Sequence, residues 1–238
     1  MTIKSKVLAA AATLTLVASA GLAGALTPGI SWAATPSCGI SCVDVFSQQL
    51  GTHHDPGYVL DVFRQGEKAG QPIILFRTAN FDPAEDFTVS FQGTVADFYA
   101  AGLVSASLDL HYSHFAAFEF QYSPHGVDSG LCAGVASTAA NGTPVVLVPC
   151  GSTAKSVWVV DSYDTITGHY VPLINGSDTN FSHPYVLTYP ARSFPADHPR
   201  AQLYTTNLTG STVNNDGGPA LTGVTSNQLW SWDYGPLH

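Results

Sequence analysis

The sequence predicts an all-β fold, closed on itself with threefold internal pseudosymmetry, and three observations predict it. A unit recurs three times at a period near 71 residues, and its closing aromatics Phe87, Trp158 and Trp230 stand 71 and 72 residues apart. A repeat of that kind sets the architecture before any local reading does. Short alternating or apolar runs dominate the chain: Val104 to Leu110, Phe118 to Tyr122, Val145 to Val148, Val157 to Asp161, Val186 to Tyr189 and Leu229 to Trp232. Turn clusters such as Asn141-Gly142-Thr143-Pro144, Asn175-Gly176-Ser177-Asp178 and Asn215-Asp216-Gly217-Gly218-Pro219 separate them, the pattern of strands in tight hairpins. No window carries a sustained apolar helical period with caps, so no helix is expected. Closure into a barrel removes the unpaired edges that many short strands would otherwise expose.

Read in order, the chain opens with Lys4 and Lys6, followed by an almost uncharged run from Val7 to Leu26. Ser31-Trp32-Ala33 offers small residues where a signal peptidase reads, and Ala23-Gly24-Ala25 offers an earlier cut. Residues 1–33 are therefore expected to be a secretory signal and residues 34–238 a single exported domain; the other reading of the apolar run is a retained membrane anchor. Four cysteines in an exported chain read as two disulfides. Cys132 and Cys150 bracket the middle repeat, and Cys38 and Cys42 would close a tight loop near the mature N-terminus; two other pairings exist on paper. The spacings lack a Cys-x-x-Cys knuckle, so no metal site is expected from them.

Each repeat is expected to hold four strands. The first precedes the Leu60-Asp61-Val62 or Cys132-Ala133-Gly134-Val135 segment, and in the last copy it runs from His169 to Leu173. The second carries that segment. The third is Ile73 to Phe76, Val145 to Val148, or Gln202 to Tyr204, and the fourth carries the closing aromatic. Thr94 to His114 lengthens the first connection. Thr205 to Thr222 inserts about fifteen residues into the last copy, since Tyr204 and Trp230 lie 26 apart against 10 for Val148 and Trp158.

Charge narrows the partners. Without Lys4 and Lys6, six basic residues face seventeen acidic ones, an excess of 11 negative charges. That weighs against nucleic acid, which is held by cationic contacts to phosphate, and against an anionic membrane surface. A chain with few charges and many Thr, Ser, Asn, Gly and Tyr is compatible with neutral hydrogen-bonding ligands.

These residues resemble the ricin B-type lectins, the R-type β-trefoils whose repeats carry a Gln-x-Trp signature. Gln228-Leu229-Trp230 matches it literally after Asn227, while Ser156-Val157-Trp158 and Glu85-Asp86-Phe87 look like eroded forms. The cysteine pair 132 and 150 is similar to the disulfide of many such repeats. The resemblance covers the chain from about Val43 onward and implies a β-trefoil with a threefold internal repeat. It also implies sugar sites in which an aromatic ring stacks on the apolar face of the sugar while an Asp and an Asn or Gln grip hydroxyls. Carried over by position, the first repeat has Asp61 and Phe76, with Ala84-Glu85 where Asn-Gln is expected. The middle repeat has Gly134 and Val148 and lacks both groups. The last has Gln202, Tyr204, Asn227 and Gln228, with Thr188 in place of Asp. The other reading of Asp61 is a cap on its own hairpin turn, and that of Trp158 and Trp230 is core.

Other chemistry is poorer. His53-His54-Asp55 and His111-Tyr112-Ser113-His114 have no partner at ligand spacing, and no Ser sits in a Gly-x-Ser-x-Gly elbow. Four glycosylation sequons begin at Asn141, Asn175, Asn180 and Asn207, and turn chemistry explains them equally well. The sequence thus leads to a secreted, non-enzymatic protein binding neutral carbohydrate, without cofactor or metal. Its rivals are a trefoil acting through protein contacts, with the Thr205 to Leu221 insertion as its loop, and, last, a small secreted hydrolase.

Overall fold

A computed structural model describes residues 41–48, 57–79, 81–160, 170–190, 200–210 and 223–234. The chain divides into the units Met1–Ile30 and Ser31–His238, and all described residues belong to the second. The expected signal segment, Cys38 and His53 to Asp55 lie outside them. Among the described residues no helix is long and apolar enough to cross a membrane.

In chain order the strands are β1 (Val43–Ser47), β2 (Tyr58–Val62), β3 (Ile73–Arg77), β4 (Phe87–Thr94), β5 (Ala116–Tyr122), β6 (Leu131–Val135), β7 (Thr143–Pro149), β8 (Trp158–Val160), β9 (Ile174–Asn175), β10 (Tyr185–Thr188), β11 (Arg200–Gln202), β12 (Tyr204–Asn207) and β13 (Trp230–Tyr234). Six segments close a ring. β1 pairs with β4 at Val43 and Phe87, β4 with β5, β5 with β8, and β8 with β9. Val171, just before β9, bridges Trp230 of β13, and β13 returns to β1. Three hairpins, β2–β3, β6–β7 and β10–β12, cap the ring. They meet through β11–β3, β12–β7 and the bridge from Pro72 to Val146. A closed ring capped by three equivalent hairpins is a β-trefoil, so the all-β reading and the threefold repeat both hold.

Alternation builds the core. Phe118, Phe120 and Tyr122 of β5 point inward at period two, and join Val43, Val45, Leu60, Leu75, Leu147 and Leu203 in one buried cluster. Each such side chain contributes roughly 1.5–3 kcal/mol by leaving water. The closing aromatics are equivalent in the three repeats. Phe87, Trp158 and Trp230 are all buried; the indole Nε1 of Trp158 donates to the carbonyl of Ala133 at 2.9 Å, and that of Trp230 to Leu187, also at 2.9 Å. Ala133 and Leu187 hold the same place on β6 and β10, which gives both indole N–H groups the buried acceptor they need.

Cys132 and Cys150 are bonded, with Cα atoms 5.1 Å apart, across the β6–β7 hairpin. Cys42 is also disulfide-bonded; Cys38, expected as its partner, lies outside the described residues.

Two corrections follow. The expectation of no helices fails: the first inter-repeat connection holds α1 (Val95–Ala100) and α2 (Ala106–Tyr112). Val104 to Leu110, read as a strand-like run, lies mostly in α2. The signal was present but short. Thr94 and Asp97 form a capping box on α1, and Ser105 accepts from the amide of Leu108 on α2; both are N-terminal signatures. Val95 and Phe98 fall at i and i+3 of α1, and Leu108 and Tyr112 at i and i+4 of α2, which puts each pair on one face. That face packs on Ala117, Val157, Val159, Ile174 and Val186, forming a second apolar cluster outside the barrel. Helices of 6 and 7 residues are too short to stand alone and depend on this packing.

The second correction concerns the last insertion. It does not begin at Thr205, because β12 continues to Asn207 and Leu208 is buried in the second cluster. Residues 211–222 lie outside the described residues.

Candidate functional site

Asp61 stands on β2 directly opposite Ile74 of β3, and Phe76 lies two residues further along β3, so it shares the face of Ile74. A turn at Phe63–Gln65 follows β2, with Arg64 and Gln65 in the left-handed region at φ 58° and 54°. That conformation is strained for ordinary side chains. The buried amide of Gln71 holds the turn by donating to the carbonyl of Phe63. On the opposite wall, Asp82 caps the turn Pro83–Glu85, its Oδ1 accepting from the Ala84 amide at 3.0 Å and from Gln65 Nε2 at 3.0 Å. The result is a pocket of about 210 Å³ whose lining includes Asp61, Phe63, Arg64, Ile74, Phe76 and Asp82.

The electrostatics are unusual. Asp61 is 4% exposed and lines this pocket, yet no donor among the described residues reaches its carboxylate. Burial, reinforced by the charge of Asp82, pushes its pKa up to about 7. Behind it, Glu85 is 3% exposed and accepts from the Ala79 amide at 2.9 Å and from Thr78 Oγ1 at 3.0 Å. Burial pushes Glu85 up to about 9, and the Thr78 bond offsets only part of that. Carboxylate oxygens of Asp61, Asp82 and Glu85 all lie within 4.8 Å of one another.

In the middle repeat the equivalent place is filled. A Cβ on Gly134, at the position of Asp61, would lie 2.5 Å from Val148 Cγ2 and 2.6 Å from the Lys155 carbonyl. No carboxylate fits there, in line with the absence expected from the sequence.

The last repeat departs from the expected arrangement. Thr188 pairs with Tyr204, as Asp61 pairs with Ile74 and Gly134 with Val146. Tyr204 therefore occupies the place of Ile74, and Thr206 the place of Phe76. The expected equivalence of Tyr204 with Phe76 is two residues out of register. The physical reason is that a slip of two leaves every side chain on its original face, so alternation cannot detect it. With Thr188 Oγ1 2.9 Å from Thr206 Oγ1, the last repeat has neither carboxylate nor ring.

The other expected contacts there are consumed by the fold. Gln202 Nε2 donates to the carbonyls of Ile73, Val145 and Leu203 at 2.9, 2.8 and 3.1 Å. Those three residues are equivalent, one per repeat, so this amide sits where the three hairpins converge. Gln228 is 1% exposed. Its Nε2 donates to Thr206 Oγ1 and the Asn207 carbonyl, both at 2.8 Å, and its Oε1 accepts from the amide and hydroxyl of Thr209 at 2.8 and 2.9 Å. Asn227 Nδ2 donates to the Tyr189 carbonyl at 2.8 Å. Of the six candidate binding residues, Asp61 and Phe76 line one pocket together.

No family model matches the chain, and no curated protein matches it. Among solved structures it is similar to ThreeFoil, a designed threefold-symmetric protein, at 13% identity and a TM-score of 0.47, over 81% of this chain and 97% of that one. It is similar to the Rhizoctonia solani agglutinin at 17% identity and a TM-score of 0.45, over 88% and 100%. A mosquitocidal holotoxin matches at 10% identity and a TM-score of 0.48 over 82% of this chain, which spans only 17% of the toxin's own length. The trefoil assignment stands on the strand pairing, not on these likenesses.

Sequence reasoning missed Asp82 and the buried acid at Glu85. One local signal existed for Asp82: an Asp followed by Pro is an N-cap with Pro at the first turn position. Glu85 stands where the signature has its Gln, and nothing local marks it as a buried acid. A second group of metal-ligand type, Glu119 with Cys132 and Cys150, offers no thiolate because both sulfurs are in the disulfide. The Asn175 sequon is closed, since Asn175 is buried and its amide donates to the Lys155 carbonyl at 3.0 Å.

Chemically, the first-repeat pocket offers a ring, a buried carboxylate with open acceptor positions and a second carboxylate at its rim. A hydroxylated ring compound could stack on Phe76 and donate to Asp61.

Proposed function

We propose that this chain is a secreted, non-catalytic, lectin-like protein that binds a neutral carbohydrate through the pocket of its first repeat. The observation that carries this reading is the convergence of Asp61 and Phe76 on one pocket, where the Asp61 carboxylate accepts no hydrogen bond from the described residues. An open carboxylate on a pocket wall can accept charge-assisted hydrogen bonds from two adjacent sugar hydroxyls. Phe76 supplies apolar area for the sugar's less polar face at small entropic cost. The last repeat contributes no binding in this reading, because its amides are engaged within the fold.

A glycan array with the mature protein, followed by titration of any hit, tests it. Asp61→Ala and Phe76→Ala are each expected to weaken binding about tenfold or more, equivalent to roughly 1.4 kcal/mol or above. Tyr204→Ala with Asn227→Ala is expected to leave the affinity unchanged. An array with no hits, or a hit indifferent to Asp61 and Phe76, would sink the reading and favour a trefoil that acts through protein contacts.

A further inference from the structure

We propose that Asp61, Asp82 and Glu85 hold a divalent cation of the calcium class at the floor of the first-repeat pocket. The inference extends the carbohydrate reading of the same pocket, but it stands on the carboxylates alone. Three acidic side chains, one from β2 and two from the turn before β4, bring oxygens within 4.8 Å of one another. Calcium takes oxygen ligands at about 2.3–2.6 Å, so its shell is about 5 Å across, and the cluster fits that span. Two of the three acids are buried, Asp61 at 4% and Glu85 at 3% exposed, and among the described residues no cationic side chain pairs with any of them. Asp61 adds an observation beyond the spacing of the oxygens. Its side chain is 4% exposed, lines the pocket and accepts no hydrogen bond from the described residues. Buried charges are ordinarily paired or bound to metal.

The donor set favours calcium over magnesium. Magnesium demands near-ideal octahedral geometry at about 2.0–2.1 Å and keeps several waters. Calcium accepts irregular shells of about six to eight oxygens with mono- or bidentate carboxylates. Three carboxylates supply three to six of these, and the open side of the pocket leaves the remainder to water or to ligand hydroxyls. A vicinal pair of sugar hydroxyls is a ligand of that kind, so the ion would bridge protein and glycan.

Calcium chloride alone, titrated calorimetrically into the chelator-treated mature protein, tests the proposal, with thermal unfolding run in parallel. Saturable one-to-one binding and a raised Tm are expected. Asp61→Asn and Asp82→Asn are each expected to weaken the binding at least about tenfold, since affinity follows the ligand charge count, and to abolish the Tm shift. Both substitutions remove repulsion among the acids, and Asp82 lies nearer the surface, so a folded variant is available for the comparison. Neither heat nor Tm change up to about 10 mM calcium, above the range typical of extracellular modules, overturns the site. Binding unchanged in both variants overturns it as well. No sugar is present, so the outcome is separate from that of the glycan array.

Discussion

Asp61 and Glu85 are buried acids that form no ion pair with a cationic side chain among the described residues, although Arg64 lines the pocket of Asp61. Both acids titrate far above the ordinary carboxylate range, near pH 7 and pH 9, mainly through burial. The folded state therefore holds protons that the unfolded chain has already released. By linkage these groups cost nothing below the unfolded values near pH 4, and they subtract progressively more stability as pH rises towards 9. In chelator, urea unfolding at pH 5, 7 and 9 is expected to show stability falling across the series, and Asp61→Asn to flatten the fall below pH 7. An unchanged slope in that variant would mean that Asp61 titrates normally. Gln228 is the opposite case, a buried amide with every polar atom satisfied. Gln228→Ala leaves the Thr209 amide and the Asn207 carbonyl without this partner and should cost about 2–4 kcal/mol, read as a lower urea midpoint at unchanged slope.

At the scale of elements, the two helices and the β6–β7 hairpin carry the testable energetics. Phe98 of α1 is buried in the second apolar cluster, and Phe98→Ala should cost about 3–5 kcal/mol. Thr94→Ala removes the capping box and should cost about 1 kcal/mol. If both substitutions were neutral in denaturant titrations, the insertion would not be docked on the barrel. The Cys132–Cys150 bond spans 18 residues, which the loop-entropy account values at about 3 kcal/mol. A Cys132→Ala, Cys150→Ala double variant should lose about that much, and a loss near zero would show that the hairpin is already ordered in the unfolded chain.

For the whole molecule, the threefold arrangement makes its own prediction. Trp158 and Trp230 occupy equivalent places with equivalent indole hydrogen bonds. Trp158→Ala and Trp230→Ala should therefore destabilise by similar amounts, roughly 3–5 kcal/mol each. Unequal losses, with one variant near wild type, would break the equivalence. The hairpins meet around Gln202, whose amide binds one carbonyl from each repeat. That contact ties the three repeats together although the corresponding residues in the other copies, Pro72 and Pro144, have no such side chain.

Most of the strands, the threefold spacing and the closing aromatics 71 and 72 residues apart were legible in the residues alone, and Cys132 with Cys150 stood there as one of the possible pairings. Alternation and repeat period are local properties, and they survive in the linear order of residues. Asp61 and Phe76 were legible for the same reason, since Leu60-Asp61-Val62 and Ile73 to Phe76 are local runs of the first repeat. Tertiary structure decided the rest. Register in β12 was invisible because a slip of two preserves the face, so Tyr204 looked like a stacking ring until Thr188 was seen opposite it. The helices were hidden by their brevity, because a single buried face of two or three residues is shorter than any period a sequence can display. Gln202 and Gln228 carried the right chemistry for a ligand, but only packing showed that backbone groups had already engaged their amides. The acid cluster is tertiary in the strictest sense. Asp61 comes from β2 and Asp82 and Glu85 from the turn before β4, and hairpin closure brings together charges that no sequence spacing predicts.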